Sequence, residues 1–102
     1  MDWKLELVAL PVSDVDRAKA FYAEKVGFHP DHDQQVNATL RFVQLTPPGS
    51  AGSICIGTGL TDMKPGLIAG LQMVVPDIEK AHDELAERGV AVTTSAAGLI
   101  DC

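Results

Sequence analysis

The chain has 102 residues, 46% of them hydrophobic, which suits one domain with a single core and excludes two large independent domains. Its 14 acidic and 8 basic residues give a formal charge of −6, so nucleic acid and anionic membrane surfaces are excluded as expected partners. Two cysteines, no secretion-type leader before Trp3 and no membrane-length apolar run predict a reduced, cytoplasmic protein with free thiols.

The first predicted elements are a strand and a helix. Residues 5–12 are apolar on both alternating faces except at Glu6, which predicts a strand covered on both sides. Ser13 offers a capping oxygen and Asp16 completes a capping box, so a helix is predicted to begin there and to end at Gly27. The predicted buried stripe of this helix is Val15, Ala18, Tyr22 and Val26, with Phe21 beside them.

Three further strands are predicted before a connector. Residues 28–33 and 37–46 are typical of two strands joined by a polar turn at 33–37. Two prolines and a glycine at 47–49 end the third strand because proline cannot donate to a ladder, and residues 52–56 form a short fourth strand.

The second half repeats the beginning of the first. Asp77 lies 63 residues after Asp14, and Gly89 lies 62 residues after Gly27. Residues 67–75 are predicted as a strand, Asp77 as the cap of a second helix ending at Gly89, and residues 90–94 as a last strand. The residues of the second helix predicted to face inward are Ile78, Ala81, Leu85 and Ala86.

These elements predict an α+β fold of paired βαβββ-type modules, which form a curved, cup-like mixed sheet with the helices outside. The single domain, 1–102, contains module one at about 4–57, a connector at about 58–66, and an incomplete βαβ second module at about 67–102. The missing strands leave an open sheet edge and an uncovered apolar face. A homodimer is therefore expected, since a second chain covers both.

One motif resembles the opening of the glyoxalase/bleomycin-resistance/dioxygenase superfamily, also called the vicinal oxygen chelate fold. It comprises Leu-Pro-Val-Ser-Asp-Val-Asp-Arg-Ala-Lys-Ala-Phe-Tyr at 10–22, followed by Lys-Val-Gly-Phe. Val-Val-Pro-Asp-Ile-Glu-Lys-Ala at 74–81 resembles the start of the second module of that superfamily. The resemblance covers about residues 5–95. It implies the paired-module fold and a divalent metal that acts as a Lewis acid on the substrate.

The metal-ligand positions implied by the resemblance are Leu7, Ala9, Gly70 and Gln72. Only Gln72 has a donor oxygen, and the fourth strand offers Ser53 and Cys55 but no carboxylate. The usual metal site is therefore expected to be missing, with no cofactor. A weak mixed site around Gln72 and Cys55 stays open.

Strand alternation predicts which side chains line the cup. The predicted lining residues are Leu7, Ala9, Phe42, Gln44, Ser53, Cys55, Gly70 and Gln72. A mostly apolar surface with a few hydrogen-bonding groups is typical of a small-molecule site. The alternative is that these small polar residues tolerate a wet face or one covered by a partner.

Titratable side chains suggest no catalytic centre. Alternation places His29, Asp31 and Asp33 on one face and His32 on the other, which predicts an exposed polar strand end instead of a metal cluster. Cys55 is interpreted as a small buried hydrophobic residue, and no catalytic residue is assigned.

Three functions remain open. The leading hypothesis is a protein that binds a small organic molecule in the cup. The second is a metal-dependent lyase, isomerase or dioxygenase of the same superfamily, so whether the protein is an enzyme is left undecided. The third is a truncated, inactive relic that retains only the fold and the dimer contacts.

Overall fold

The computed structural model describes residues 1–66 and 71–92. Its strands are β1 (Leu7–Pro11), β2 (His29–Gln35), β3 (Arg41–Thr46) and β4 (Ser53–Thr58). Its helices are α1 (Val15–Ala20) and α2 (Ile78–Glu87), and α1 continues as a π-helical segment (Phe21–Val26). The chain divides into a first unit, Met1–Ile68, with the sheet and α1, and a second unit, Ala69–Cys102, with α2. The predicted α+β class is confirmed.

The sheet is mixed and has the strand order β1-β4-β3-β2. β1 runs parallel to β4, while β4 and β3, and β3 and β2, pair antiparallel. One face packs against α1 and is aliphatic; its buried residues are Val43, Leu45, Ile54 and Ile56. Val15 and Tyr22 are buried on the helical side, and the Tyr22 ring stacks on Phe28 with centroids 5.7 Å apart. These contacts form the core of the first unit.

The cap of α1 is one residue later than predicted. Asp14, not Ser13, is the N-cap, and its Oδ1 accepts a hydrogen bond from the Arg17 amide at 3.1 Å. Asp77 caps α2 in the same way, as predicted, by accepting from the Lys80 amide. Asp is among the strongest N-caps because its carboxylate satisfies an amide that has no partner within the helix. The predicted stop at Gly27 is confirmed, since this residue has a φ of 89°.

The β2–β3 turn lies later than the predicted 33–37. β2 continues to Gln35, and the Val36 amide donates to the Leu40 carbonyl at 2.9 Å. Asn37 Oδ1 accepts from the amides of Thr39 and Leu40, each at 2.9 Å. An Asn side chain that takes up two loop amides decides where the chain turns, and sequence polarity alone did not show this.

The second unit contains the predicted helix but no strand among its described residues. Residues 71–76 and 90–92 have no strand structure, which corrects the strands predicted at 67–75 and 90–94; residues 67–70 and 93–94 lie outside the described part. A strand needs a hydrogen-bonded neighbour. β1 obtains one from β4, whereas residues 71–76 and 90–92 have no strand partner within the described segments. Leu85 is buried as predicted, whereas Ile78 and Ala86 are exposed.

An ion-pair cluster joins α1 to the β2–β3 hairpin. Arg41 donates to both carboxylate oxygens of Asp33, at 3.1 and 3.0 Å, and to Asp16 at 2.7 Å. Lys19 Nζ lies 2.9 Å from Asp33. These hydrogen bonds, from Arg41 first and Lys19 second, lower the pKa of Asp33 from its ordinary 3.8 to about 2. The bond to Asp33 also raises the pKa of the Arg41 guanidinium.

We expect Asp33→Asn to destabilise the fold by about 1 kcal/mol at pH 7, a value reduced for the partial exposure of the carboxylate. Because the pKa of Asp33 is lower in the folded state than in the unfolded state, ionised Asp33 stabilises the fold above about pH 4. The difference between the variant and the wild type should therefore shrink as the pH falls from 4 towards 2, measured by urea unfolding.

Asp16→Asn is the matched control for this prediction. Its side chain is 82% exposed and makes one contact with Arg41, so a smaller loss is expected. An Asp33→Asn loss that stays constant between pH 7 and pH 2 would contradict the role given to the cluster.

Candidate functional site

Six of the seven predicted ligand-binding side chains lie on one face of the sheet in the first unit, opposite α1. We call this face the cup face; its predicted members are Leu7, Ala9, Phe42, Gln44, Ser53 and Cys55. Strand pairing aligns Leu7 with Ser53, and it aligns both Ala9 and Gln44 with Cys55. Aligned residues and residues two apart on one strand share a face. The structure thus brings these six side chains together.

The cup face changes from apolar to polar across the strands. One row across the sheet contains Ala9, Cys55, Gln44 and His32, and the next contains Pro11, Gly57, Phe42 and Gln34. The β1 side is aliphatic, while the β2 side carries imidazole and amide groups. Four strands spaced by about 4.8 Å span about 14 Å, the length of an organic molecule with two or three rings.

The accessibility of the cup face differs between its members. Leu7 is 42% exposed, whereas Cys55 is 7% exposed and belongs to the core. Ala9, Phe42, Gln44 and Ser53 are half-buried. The half-buried side chains are therefore partly accessible on the cup face, and Cys55 forms the floor beneath them.

A line of polar side chains crosses one end of the cup face. Thr46 Oγ1 donates a hydrogen bond to Asp31 Oδ2 and lies 2.7 Å from Ser53 Oγ. His29 Nδ1 lies 3.2 Å from the other Asp31 oxygen. This end of the face therefore has an ordered hydrogen-bond network.

A β-bulge corrects the predicted orientation of the His/Asp run. The register of β2 shifts between Pro30 and His32, so Asp31 is the extra residue. After the shift His32 is aligned with Gln44, on the cup face, and Asp33 reaches the α1 side. His29, Asp31 and Asp33 do not share one face as predicted, because a bulged residue interrupts the period of two.

Sequence reasoning missed several residues of the cup face. Thr46 continues the alternation of Phe42 and Gln44, so extending that pattern by one more step finds it. Asp31 had no such signal, since its position depends on the bulge. Leu60 was also missed: its Cδ1 lies 2.8 Å from the point where a side chain on Gly57 would begin.

Gln72, the seventh predicted residue, is exposed and lies in the second unit, outside any strand. Gly70 lies outside the described residues. Participation of Gln72 in a ligand site therefore stays a prediction.

Cys55 is a free, buried thiol. Burial raises its pKa, which disfavours the thiolate, and the thiolate is the nucleophilic form of cysteine. The environment of Cys55 therefore suits a packing role, as the sequence predicted. Cys102 lies outside the described residues.

The first-strand positions implied for metal ligands do not fit a divalent ion. Leu7 and Ala9 are on the cup face, but their side chains contain no donor atom. Within residues 1–66 and 71–92, no three His, Cys, Asp or Glu side chains come together as a metal site.

The family model for the glyoxalase/bleomycin resistance protein/dioxygenase superfamily matches residues 4–97. The chain belongs to this superfamily. No curated protein matches the sequence. The helices of the described segments, 1–66 and 71–92, include none long and apolar enough to cross a membrane.

Solved structures of this superfamily are similar to the chain. A glyoxalase/bleomycin resistance protein from Streptomyces sp. CB03234 is 36% identical, with a TM-score of 0.77, over 89% of this chain and 79% of its own. TnmS3, an antibiotic binding protein from the same organism, is 35% identical, with a TM-score of 0.79, over 91% and 76%. A superfamily member from Sphaerobacter thermophilus DSM 20745 is 31% identical, with a TM-score of 0.76, over 91% and 77%.

Proposed function

We propose that this protein binds a small organic molecule on the cup face and does not transform it. The observation that carries the proposal is the convergence of half-buried Phe42, Gln44 and Ser53 on one face, beside the aliphatic side chains of β1. A mostly apolar surface with a few fixed polar groups suits recognition of such a molecule. The similarity to TnmS3, an antibiotic binding protein, supports a ligand of the antibiotic type.

Binding without chemistry agrees with the side chains available. The implied first-strand metal positions carry hydrocarbon side chains, and burial raises the pKa of the Cys55 thiol, which disfavours the nucleophilic thiolate. We therefore propose that the usual metal site of the superfamily is missing. Addition of Mg²⁺, Mn²⁺, Ni²⁺ or Zn²⁺ should leave the melting temperature unchanged, since an ion specific for the folded state must raise it.

The first experiment is a thermal-shift screen of flat, amphipathic antibiotics, with bleomycin included, on the full chain. At a ligand concentration 100 times the Kd, the folded state gains about 2.7 kcal/mol, which is readily detected as a higher melting temperature. A shift with at least one compound supports the proposal. No shift with any compound, together with a shift from a divalent ion, would favour the metal-dependent enzyme instead.

We expect Gln44→Leu to weaken the binding of the best compound from that screen by about tenfold in Kd, because the variant removes a polar group from the centre of the cup face. Titration calorimetry measures the Kd. Gln35→Leu is the matched control, since the Gln35 side chain donates to the Asn37 carbonyl in the turn and should leave the Kd unchanged.

Gln72→Leu tests the remaining predicted contact. An equal loss in Gln44→Leu and Gln72→Leu would include the second unit in the site, and a loss in Gln44→Leu alone would confine the site to the first unit. Unchanged affinity in both variants contradicts the proposed location.

We also propose a homodimer. Among the described residues β1 is an edge of the sheet, and the residues that precede it expose a row of alternating apolar side chains, with Trp3 88% and Leu5 74% exposed. An open edge beside exposed apolar groups favours association. A native mass spectrum of the untreated protein should show twice the chain mass, with any retained ligand as added mass. A spectrum of monomer alone contradicts the dimer.

The proposed compartment is the cytoplasm. Support comes from the buried, unpaired thiol of Cys55, since free thiols persist in reducing compartments.

A further inference from the structure

The hydrogen bonds that link Ser53, Thr46 and Asp31 on the cup face have a fixed donor-to-acceptor direction. This direction follows from the number of hydrogens that each side chain can donate. A hydroxyl has one hydrogen to donate and two lone pairs, whereas an ionised carboxylate only accepts. Thr46 donates its one hydrogen to Asp31. The 2.7 Å contact between Thr46 Oγ1 and Ser53 Oγ must therefore use the hydrogen of Ser53.

Ser53 is consequently left as an acceptor. Its hydrogen is directed to Thr46, and its oxygen still has lone pairs available on a half-buried position of the cup face. His29 Nδ1 lies 3.2 Å from the second oxygen of Asp31, at the far end of the line. A group that meets Ser53 Oγ from the cup must then bring a hydrogen of its own.

We propose that Ser53 Oγ selects ligands that present a hydrogen-bond donor, such as a phenolic or alcoholic hydroxyl or an N–H group, attached to an apolar ring system. This inference rests on the proposed function and specifies its ligand class. Asp31 is a positioning residue that acts through Thr46 and sets the direction of the hydroxyl hydrogens. The ring system lies towards Leu7, which is aligned with Ser53 across the β1–β4 pair.

The preference for a hydrogen-bond donor arises because an ether oxygen cannot donate a hydrogen bond to Ser53 Oγ, whereas a hydroxyl can. An ether oxygen placed against Ser53 brings the lone pairs of two acceptors together with no hydrogen between them, so the ether oxygen loses water without gaining a partner, which is unfavourable. A hydroxyl in that position donates to Ser53. The same ring system should therefore bind at least about tenfold more tightly as the alcohol than as the methyl ether.

The test uses 2-naphthol and 2-methoxynaphthalene as probes, titrated into the ¹⁵N-labelled full chain. Chemical-shift changes of the β3 and β4 amides report the location, and the two Kd values give the preference. The wild type should prefer 2-naphthol by about tenfold or more. Thr46→Val keeps the shape of the side chain but removes the acceptor of the Ser53 hydrogen, so Ser53 can donate to an ether. The preference for 2-naphthol should therefore fall to about twofold or less. Thr46→Ser should restore it, because a serine hydroxyl can relay the hydrogen bond.

Asp31→Ala gives the same test at an exposed strand position, in case Thr46→Val does not fold. Without the carboxylate Thr46 can donate to Ser53, so the preference should again be lost. Equal affinity of the wild type for both probes, with shifts at the cup-face amides, overturns the selectivity while leaving the proposed binding function intact. If neither probe shifts these amides, the inference about Ser53 fails, and the thermal-shift screen decides the proposed function separately.

Discussion

Gly57→Ala is expected to destabilise the protein by on the order of 3 kcal/mol. An added Cβ would lie 2.3 Å from the backbone oxygen of Arg41 and 2.8 Å from Cδ1 of Leu60. The Leu60 side chain can move, but the Arg41 oxygen belongs to β3, so relief requires β3 and β4 to separate where Gly57 faces Phe42. Urea unfolding followed by circular dichroism measures the loss.

Gly49→Ala is the control that separates steric overlap from backbone preference. Gly49 has a φ of 79° and no atom within 4 Å of an added Cβ, so its variant should lose only about 1 kcal/mol. Equal losses at Gly57 and Gly49 would contradict the close approach of β3 and β4. The expected difference of about 2 kcal/mol is a substantial fraction of the roughly 5–15 kcal/mol that typically stabilises a whole domain.

Leu45→Ala is expected to cost about 3 kcal/mol. The Leu45 side chain is fully buried in β3, on the face that packs against α1, and is aligned with Ile54. Removing three buried carbon atoms loses their transfer free energy and leaves a cavity that a close-packed core fills only in part. The free energy of unfolding, measured without added ligand, reports this loss.

Leu7→Ala provides the comparison on the other face. Leu7 is also a strand leucine, but it is 42% exposed, so the same truncation should cost about 1 kcal/mol or less. If Leu7→Ala were as costly as Leu45→Ala, the assignment of one face to the core and the other to the cup would be wrong.

Local signals located the strands of the first unit and both helices well, and the ends of these elements less well; the strands predicted in the second unit were wrong at residues 71–75 and 90–92. The repeated Asp already indicated the true helix start, because Asp14 and Asp77 occupy equivalent places and both cap their helices. The capping-box pattern favoured Ser13 instead, since it considers one turn in isolation. The β2–β3 turn was misplaced for a related reason: the side chain of Asn37, which binds two loop amides, outweighs the polarity of the residues before it.

Membership of the cup face was predictable from sequence for six residues because side chains alternate along every strand, whatever the strand pairs with. Their neighbours were not predictable. The row of Ala9, Cys55, Gln44 and His32 exists only because β1 pairs with β4 and β2 with β3 in a particular register. Register depends on hydrogen bonds between residues far apart in the chain.

The sequence by itself determined the α+β class, the capped and glycine-terminated helices, the hydrocarbon side chains at the implied first-strand metal positions and the two faces of β3 and β4. These properties depend on residue type and on periods of two or about four residues, which act within a single element. Only the tertiary structure decided the bulge at Asp31, the line from Ser53 through Thr46 to Asp31, and the lack of strand structure at 71–76. Each of these depends on whether a distant segment offers a hydrogen-bonding partner, and a local pattern does not contain that information.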